Sequence, residues 1–198
     1  MEIEEVKVVN VNEIDFAKIK RTTIKSKNIL LRPIKKSDLI NNIIWLKDPE
    51  VNQFLSSNFV DLDFSQGLKW FKEMRYSISG FIFAIEILNL KKYIGNCGFH
   101  KINWDDMSAE FGIVIGDKSY WNQGYGQLAL KASLKFAFKK LGLKRIRLFV
   151  YEYNKRAIHV YRKCGFRKID VQKGKHFYNN IYWDVIVMEI KNNMYKLL

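Results

Sequence analysis

Cysteine is scarce in this chain: 198 residues hold two, Cys97 and Cys164, in separate segments and without CxxC spacing. That excludes a disulfide framework and a zinc ribbon, and makes a reducing, cytoplasmic compartment the expectation. Long apolar runs are missing as well. No stretch approaches the roughly 18 apolar residues a membrane span requires, and the opening MEIEEVKVVN is acidic where a secretory leader would be positive. A soluble, unexported protein with no membrane partner is expected. There are no internal repeats or low-complexity tracts. Nothing around the histidines suggests a triad or a metal cluster, so no metal is expected.

Acid is the other shortage. Against 34 Lys and Arg stand only 20 Asp and Glu, a net charge of +14. Such a field attracts anions, whether a nucleotide cofactor, a sugar nucleotide or ribosomal RNA. The lysines are nevertheless scattered, only Lys139–Arg147 forms a patch, and compositional bias accounts for the excess equally well. What the chain has in quantity is apolar material, 48% hydrophobic and 15% aromatic, enough to bury the core of one α/β domain and too little length for two.

Residues 1–28 carry no motif and read as an appendage, with an added strand as one form it could take. NILLRPI (28–34) is a strand ended by Pro33, and Ser37 and Asp38 offer a cap for a helix running through Trp45 to about Leu46. A second amphipathic helix is expected over Ser65–Tyr76. Phe81–Leu88, Tyr93–Phe99 and Glu110–Ile115 read as a three-stranded antiparallel meander. A helix over Gly126–Lys140, a strand over Arg145–Tyr151, a short helix over Lys155–Lys163 and strands over Phe166–Val171 and Ile181–Ile190 complete the chain, leaving 192–198 as a tail.

The segment Ile113-Val-Ile-Gly-Asp-Lys-Ser-Tyr-Trp-Asn-Gln-Gly-Tyr-Gly-Gln127 runs from a strand through a glycine-spaced loop into a helix. Gly124 and Gly126 allow backbone N–H groups to converge, and the helix start adds unpaired amides and a positive dipole end, the makings of an anion site. It is neither a Walker loop nor a dinucleotide fingerprint, since no Gly-Lys-Ser/Thr follows and the preceding strands are antiparallel.

With this loop and with Val150–Phe166, in which a strand leads to Asn154, a short helix bearing Tyr161 and then Gly165-Phe166, the chain resembles the GNAT superfamily of N-acetyltransferases. That family's cofactor loop reads Gln/Arg-x-x-Gly-x-Gly/Ala, and here the slot is Trp121-Asn-Gln-Gly-Tyr-Gly126, with Trp121 in place of the leading Gln or Arg. The departure is similar to the branch of ribosomal-protein N-terminal, polyamine and amino-sugar acetyltransferases. The resemblance covers residues 29–191. It implies an α/β (α+β) domain with a mixed, mostly antiparallel sheet of about seven strands, two of them central, parallel and splayed, and about four helices.

It further implies an acetyl-CoA-dependent N-acetyltransferase in which a primary amine attacks the thioester directly in a ternary complex. Backbone groups of Val114, Ile115 and Gly116 would hold the pantetheine and polarise the acetyl carbonyl, and Asn122, Gln123, Gly124, Tyr125, Gly126 and Gln127 would hold the diphosphate. Asn154 would contact the cofactor or cap the next helix. Tyr161 is implied as the acid for the leaving thiolate and Glu110 as the base, with Asp105, Asp106 and His100 as alternatives. His159 and His176 read as surface residues and Cys164 as a packing position. The acceptor, a protein N-terminus, an amino sugar or a polyamine, stays open, as does a possible homodimer. The alternatives from other classes are a basic RNA- or ribosome-binding module without turnover, so that nucleic acid enters only through ribosome association, and a cofactor-sensing regulator.

Overall fold

The computed structural model describes residues 15–56, 59 and 61–195. Elements follow in the order α1 (Phe16–Arg21), β1 (Ile24–Ser26), β2 (Ile29–Pro33), α2 (Leu39–Lys47), α3 (Pro49–Asn52), α4 (Phe64–Tyr76), β3 (Phe81–Ile87), β4 (Lys92–Asn103), β5 (Ser108–Ile115), α5 (Tyr125–Lys139), β6 (Arg145–Tyr151), α6 (Lys155–Lys163), β7 (Arg167–Tyr178), β8 (Ile181–Lys191) and α7 (Asn192–Tyr195). Short 3-10 turns precede α2 and α5.

Eight strands form one sheet in the order β1-β2-β3-β4-β5-β6-β8-β7 among the described residues. Every neighbouring pair is antiparallel except β5 and β6, which run parallel and touch only at Ser108↔Arg145, Ala109↔Ile146 and Glu110↔Arg147. Beyond Glu110 the two strands part. A gap in mid-sheet is costly, because edge N–H and C=O groups are left for water or a ligand. Helices cover both faces. α5 buries its apolar stripe, including Leu130, Leu134 and Ala137, in the main core with Phe83, Phe99 and Phe111. On the other face α2 sets Trp45 over Gly116 and 4.9 Å from Tyr93, with α4 packed on α2.

The strand count exceeds expectation by one, because the segment read as an appendage joins the domain. β1 pairs with β2, and Lys20 of α1 donates through Nζ to the carbonyls of Met74 and Gly80. Burial of that ammonium lowers its pKa to about 8. Residues 1–14 and the chain end at 196–198 lie outside the described residues. In the expected tail, Tyr195 of α7 packs 5.2 Å from Phe138.

Asp38 does not cap α2 through its side chain. Its carboxylate instead accepts from Arg32 Nη1 and Nη2 at 2.7 and 3.0 Å, while Arg32 Nε reaches Glu86 at 2.6 Å, a buried cluster tying the start of α2 to β2 and β3. β7 runs seven residues past the expected end at Val171, to Tyr178. Asn179 and Asn180, at φ 50° and 59°, then close a tight hairpin onto β8. No helix among the described residues is long and apolar enough to cross a membrane.

Candidate active site

Where β5 and β6 part, a cleft of about 1110 Å³ opens, and its lining includes the far halves of both strands, the Tyr120–Gln127 loop, the start of α6, the loop after α3, and β7. The first turn of α5 is its anion-facing wall. Gly124 is the N-cap at φ +82°, a left-handed backbone conformation that suits glycine. The first intrahelical bond runs from Leu128 N–H to Gly124 O at 3.0 Å, so the amides of Tyr125, Gly126 and Gln127 have no carbonyl one turn back. A Cβ on Gly126 would meet only Ile115 Cγ1, at 3.8 Å, and the remaining space beside these amides is cleft. Three unpaired amides, a dipole end and open space fit a diphosphate.

The edge of β5 follows from register. Gly116 N–H donates to Ile94 O at 2.9 Å, so 94/116 is a hydrogen-bonded pair of the antiparallel β4–β5 ladder. Alternation then commits Val114 to β4 as well and turns the backbone groups of Ile113 and Ile115 towards the gap. This corrects two expected contacts. Gly116 lies behind Trp45, outside the cleft lining, with its N–H already used, and Val114 lines the cleft without presenting its amide to it. Ile113, absent from the expected set, presents both backbone groups. The Ile115 carbonyl is taken by Trp121 Nε1 at 2.6 Å.

That bond explains what Trp121 does in a slot where the family motif has Gln or Arg. Its indole pins the loop to β5, and its ring carries the Arg156 guanidinium, 4.3 Å from the centroid. Arg156 lines the cleft beside Asn122, whose side-chain oxygen its Nη1 approaches at 3.5 Å, and it has no carboxylate partner among the described residues. A cation thus reaches the loop's side of the cleft from α6. Sequence reading missed it, since Arg156 is adjacent to the loop only in space. Gln123, expected in the cradle, points away: its Nε2 donates to Ser119 O at 2.7 Å, and it does not line the cleft.

Asn154 caps α6, accepting from Ala157 N–H at 3.2 Å, and also lines the cleft, so capping does not remove it from the ligand's reach. Tyr161, on the first buried face of α6 with Ile158, is 9% exposed and lines the cleft. Its hydroxyl makes no hydrogen bond to another described residue. Burial, with a smaller effect of Cys164, raises its pKa to about 12, so the phenol stays protonated at neutral pH. Cys164 is buried and packed in the core, as its spacing suggested.

Glu110 and His100 are directly opposed on β5 and β4 and both line the cleft. Glu110 Oε1 accepts from Lys101 Nζ at 3.1 Å, and Oε2 lies 3.4 Å from His100 Nε2. Desolvation lowers the His100 pKa from its ordinary 6.5, with Glu110 opposing and Lys101 assisting, which leaves the imidazole neutral at pH 7. Asp105 and Asp106 do not line the cleft, and Asp106 is held by Ser108 and Arg145.

His176 corrects the surface reading. It is half-buried in the cleft wall, stacked on Tyr151 with centroids 3.7 Å apart, and 3.1 Å from the Tyr153 hydroxyl. Tyr151 and Tyr153 hydroxyls in turn donate to the carbonyls of Leu55 and Gln53. An aromatic stack on β6 and β7 therefore fixes the loop after α3 that forms the cleft's outer wall. His159 also lines the cleft, from its exposed rim.

A mixed sheet whose one parallel pair parts over a helix N-terminus makes a cleft suited to an extended ligand that carries a diphosphate. Residues 28–167 match the family model described as an acetyltransferase (GNAT) domain, and the chain belongs to that family. Its curated relatives include Acetyltransferase PseH of Campylobacter jejuni, 26% identical over 79% of this chain and 91% of that one. Another is a spermidine N(1)-acetyltransferase of Vibrio cholerae, 32% identical over 53% of this chain and 60% of that one. The crystal structure of spermidine N-acetyltransferase from Vibrio cholerae in complex with CoA and spermine superimposes with a TM-score of 0.80, covering 85% of this chain and 98% of that one at 24% identity. The chain is accordingly an acetyl-CoA-dependent N-acetyltransferase.

Proposed function

We propose that the cleft moves an acetyl group to a primary amine with Tyr161 as the acid and the His100–Glu110 pair as the proton acceptor. Acetyl-CoA supplies an activated thioester. The amides of Tyr125, Gly126 and Gln127, with Arg156 at the mouth, hold the diphosphate. The inward-facing backbone of Ile113 and the Ile115 N–H bind the pantetheine arm and the acetyl oxygen along the open edge of β5.

The amine nitrogen forms its bond to the acetyl carbon as the C–S bond breaks. Tyr161 gives its proton to the departing sulfur, and the proton lost by the nitrogen goes to His100, whose imidazole is neutral and held by Glu110. Glu110 alone is a weaker candidate than the sequence suggested, because Lys101 and His100 already engage both carboxylate oxygens. The net products are an amide and free thiol, with Tyr161 reprotonated from solvent.

The observation that carries this reading is the parting of β5 and β6 over the first turn of α5. The acceptor is a small molecule or a protein N-terminus, and a cytoplasmic location and a homodimeric state belong to the same proposal. Thiol release from acetyl-CoA across amino-sugar, peptide and polyamine acceptors tests it. Acetyl-CoA binding with no amine-dependent thiol release from any class refutes it.

A further inference from the structure

The charges lining the acceptor side of the cleft are unbalanced in a way that names a substrate class. Among the described residues, the Lys, Arg, Asp and Glu side chains that line the cleft are Lys101, Glu110, Arg156 and Lys175. Arg156 stands at the phosphate loop. Of the other three, the single carboxylate, Glu110, is already engaged by Lys101 at 3.1 Å and His100 at 3.4 Å. Two acids close in sequence to this wall are also occupied, Asp184 by Lys173 Nζ at 2.7 Å and Gly174 N–H at 3.0 Å and Asp106 by Arg145, while Glu152, beside Tyr151, is not in the cleft lining.

Lys175 has no carboxylate within ion-pair distance among the described residues. Its direction is built into the strand. In a regular β7, Gln172, Gly174 and His176 would share one face and Lys175 the other. The β7–β8 register is broken between Gln172 and His176, with Gly174 at φ +56°, and Gln172, Lys175 and His176 all line the cleft. Bulges re-aim side chains beside active sites, and this one brings Lys175, exposed and without an ion-pair partner among the described residues, into the cleft lining.

We propose that the acceptor is a small amine bearing a phosphate or similar anionic group near its reacting nitrogen, and not a polyamine. This rests on the acyl-transfer reading of the cleft. A polyamine would bring second and third ammonium groups into a site whose one carboxylate among the described residues is taken, leaving desolvated cations unpaired. A phosphate has Lys175 to meet, which carries no carboxylate partner among the described residues.

Calorimetry on the CoA-loaded protein with glucosamine 6-phosphate, glucosamine and spermidine tests this, with thiol release from acetyl-CoA measured on the same three amines. Glucosamine 6-phosphate should bind roughly tenfold tighter than glucosamine, the scale of one charge-assisted contact, and spermidine should bind least. Lys175→Glu should collapse the preference for the phosphorylated amine while the melting temperature holds, since Lys175 is exposed. Equal or absent binding of glucosamine 6-phosphate, tighter binding of spermidine, or a preference unmoved by Lys175→Glu overturns the assignment. Failure of CoA itself to bind would instead strike the acyl-transfer reading.

Discussion

Replacing Gly126 by valine isolates the phosphate cradle from the fold. A Cβ there has a single neighbour, Ile115 Cγ1 at 3.8 Å, which is ordinary contact, so the larger side chain extends into the cleft without displacing protein. Within the first turn of α5, valine and glycine differ by only about 0.5 kcal/mol in helix propensity. Stability should therefore be almost unchanged. Binding should not be, because the branched side chain stands over amides that have no intrahelical acceptor. Each charge-assisted bond from such an amide to a phosphate oxygen contributes about 1.5–3 kcal/mol. Loss of one raises the CoA Kd by about 10- to 100-fold, at about 1.4 kcal/mol per decade. Titration calorimetry with CoA and a thermal melt, run on the same preparation, read the two effects separately. Unchanged affinity would refute the cradle, and a large fall in melting temperature would refute the open space beside Gly126. Gly124→Ala is the mirror case, since φ +82° makes a side chain cost about 1–2 kcal/mol in the fold.

Tyr161→Phe keeps the buried ring and should lower kcat by about 100-fold or more, as loss of an acid does, with CoA affinity unchanged; full turnover at saturating donor would remove Tyr161 from the acid role. Arg156→Ala should weaken CoA binding roughly tenfold and flatten its salt dependence, whereas a Kd unaltered at low salt would show that the guanidinium on Trp121 does not face the phosphates. The acid limb of kcat/KM should fall below pH 6.5, because a base whose pKa is depressed by burial stays competent until pH drops through that lower value. His100→Gln should abolish or move that limb, and an identical profile would reassign the base. Arg32→Ala should destabilise the fold by about 3–5 kcal/mol by stranding Asp38 and Glu86, read by chemical denaturation; a loss under 1 kcal/mol would mean water reaches the cluster.

The local order of the chain was legible in advance, because each signal was local. Glycines at 124 and 126 before an apolar helix, the antiparallel meander, and Asn154 ahead of Tyr161 and Gly165-Phe166 each concern residues a few positions apart, where backbone permissiveness and periodicity act directly. Strand ends were less legible. β7 continued to Tyr178 through a polar, lysine-rich stretch whose pairing with β8 was favoured by the Asn179–Asn180 turn and not by its own hydrophobicity.

By itself, then, the sequence determined the order of the larger helices and strands after residue 28, the helix start that can hold a diphosphate and the tyrosine on the short helix after Asn154. Tertiary structure decided which groups actually face the cleft. Register with β4 withdrew Gly116 and Val114 and exposed Ile113; packing on Trp121 brought in Arg156 from α6; a bulge brought Lys175 into the cleft lining; pairing across β4 and β5 joined His100 to Glu110, and burial lowered the histidine's pKa. These outcomes depend on contacts between residues up to 35 positions apart, and side-chain direction in a sheet reverses with a one-residue shift, so local sequence pattern does not encode them.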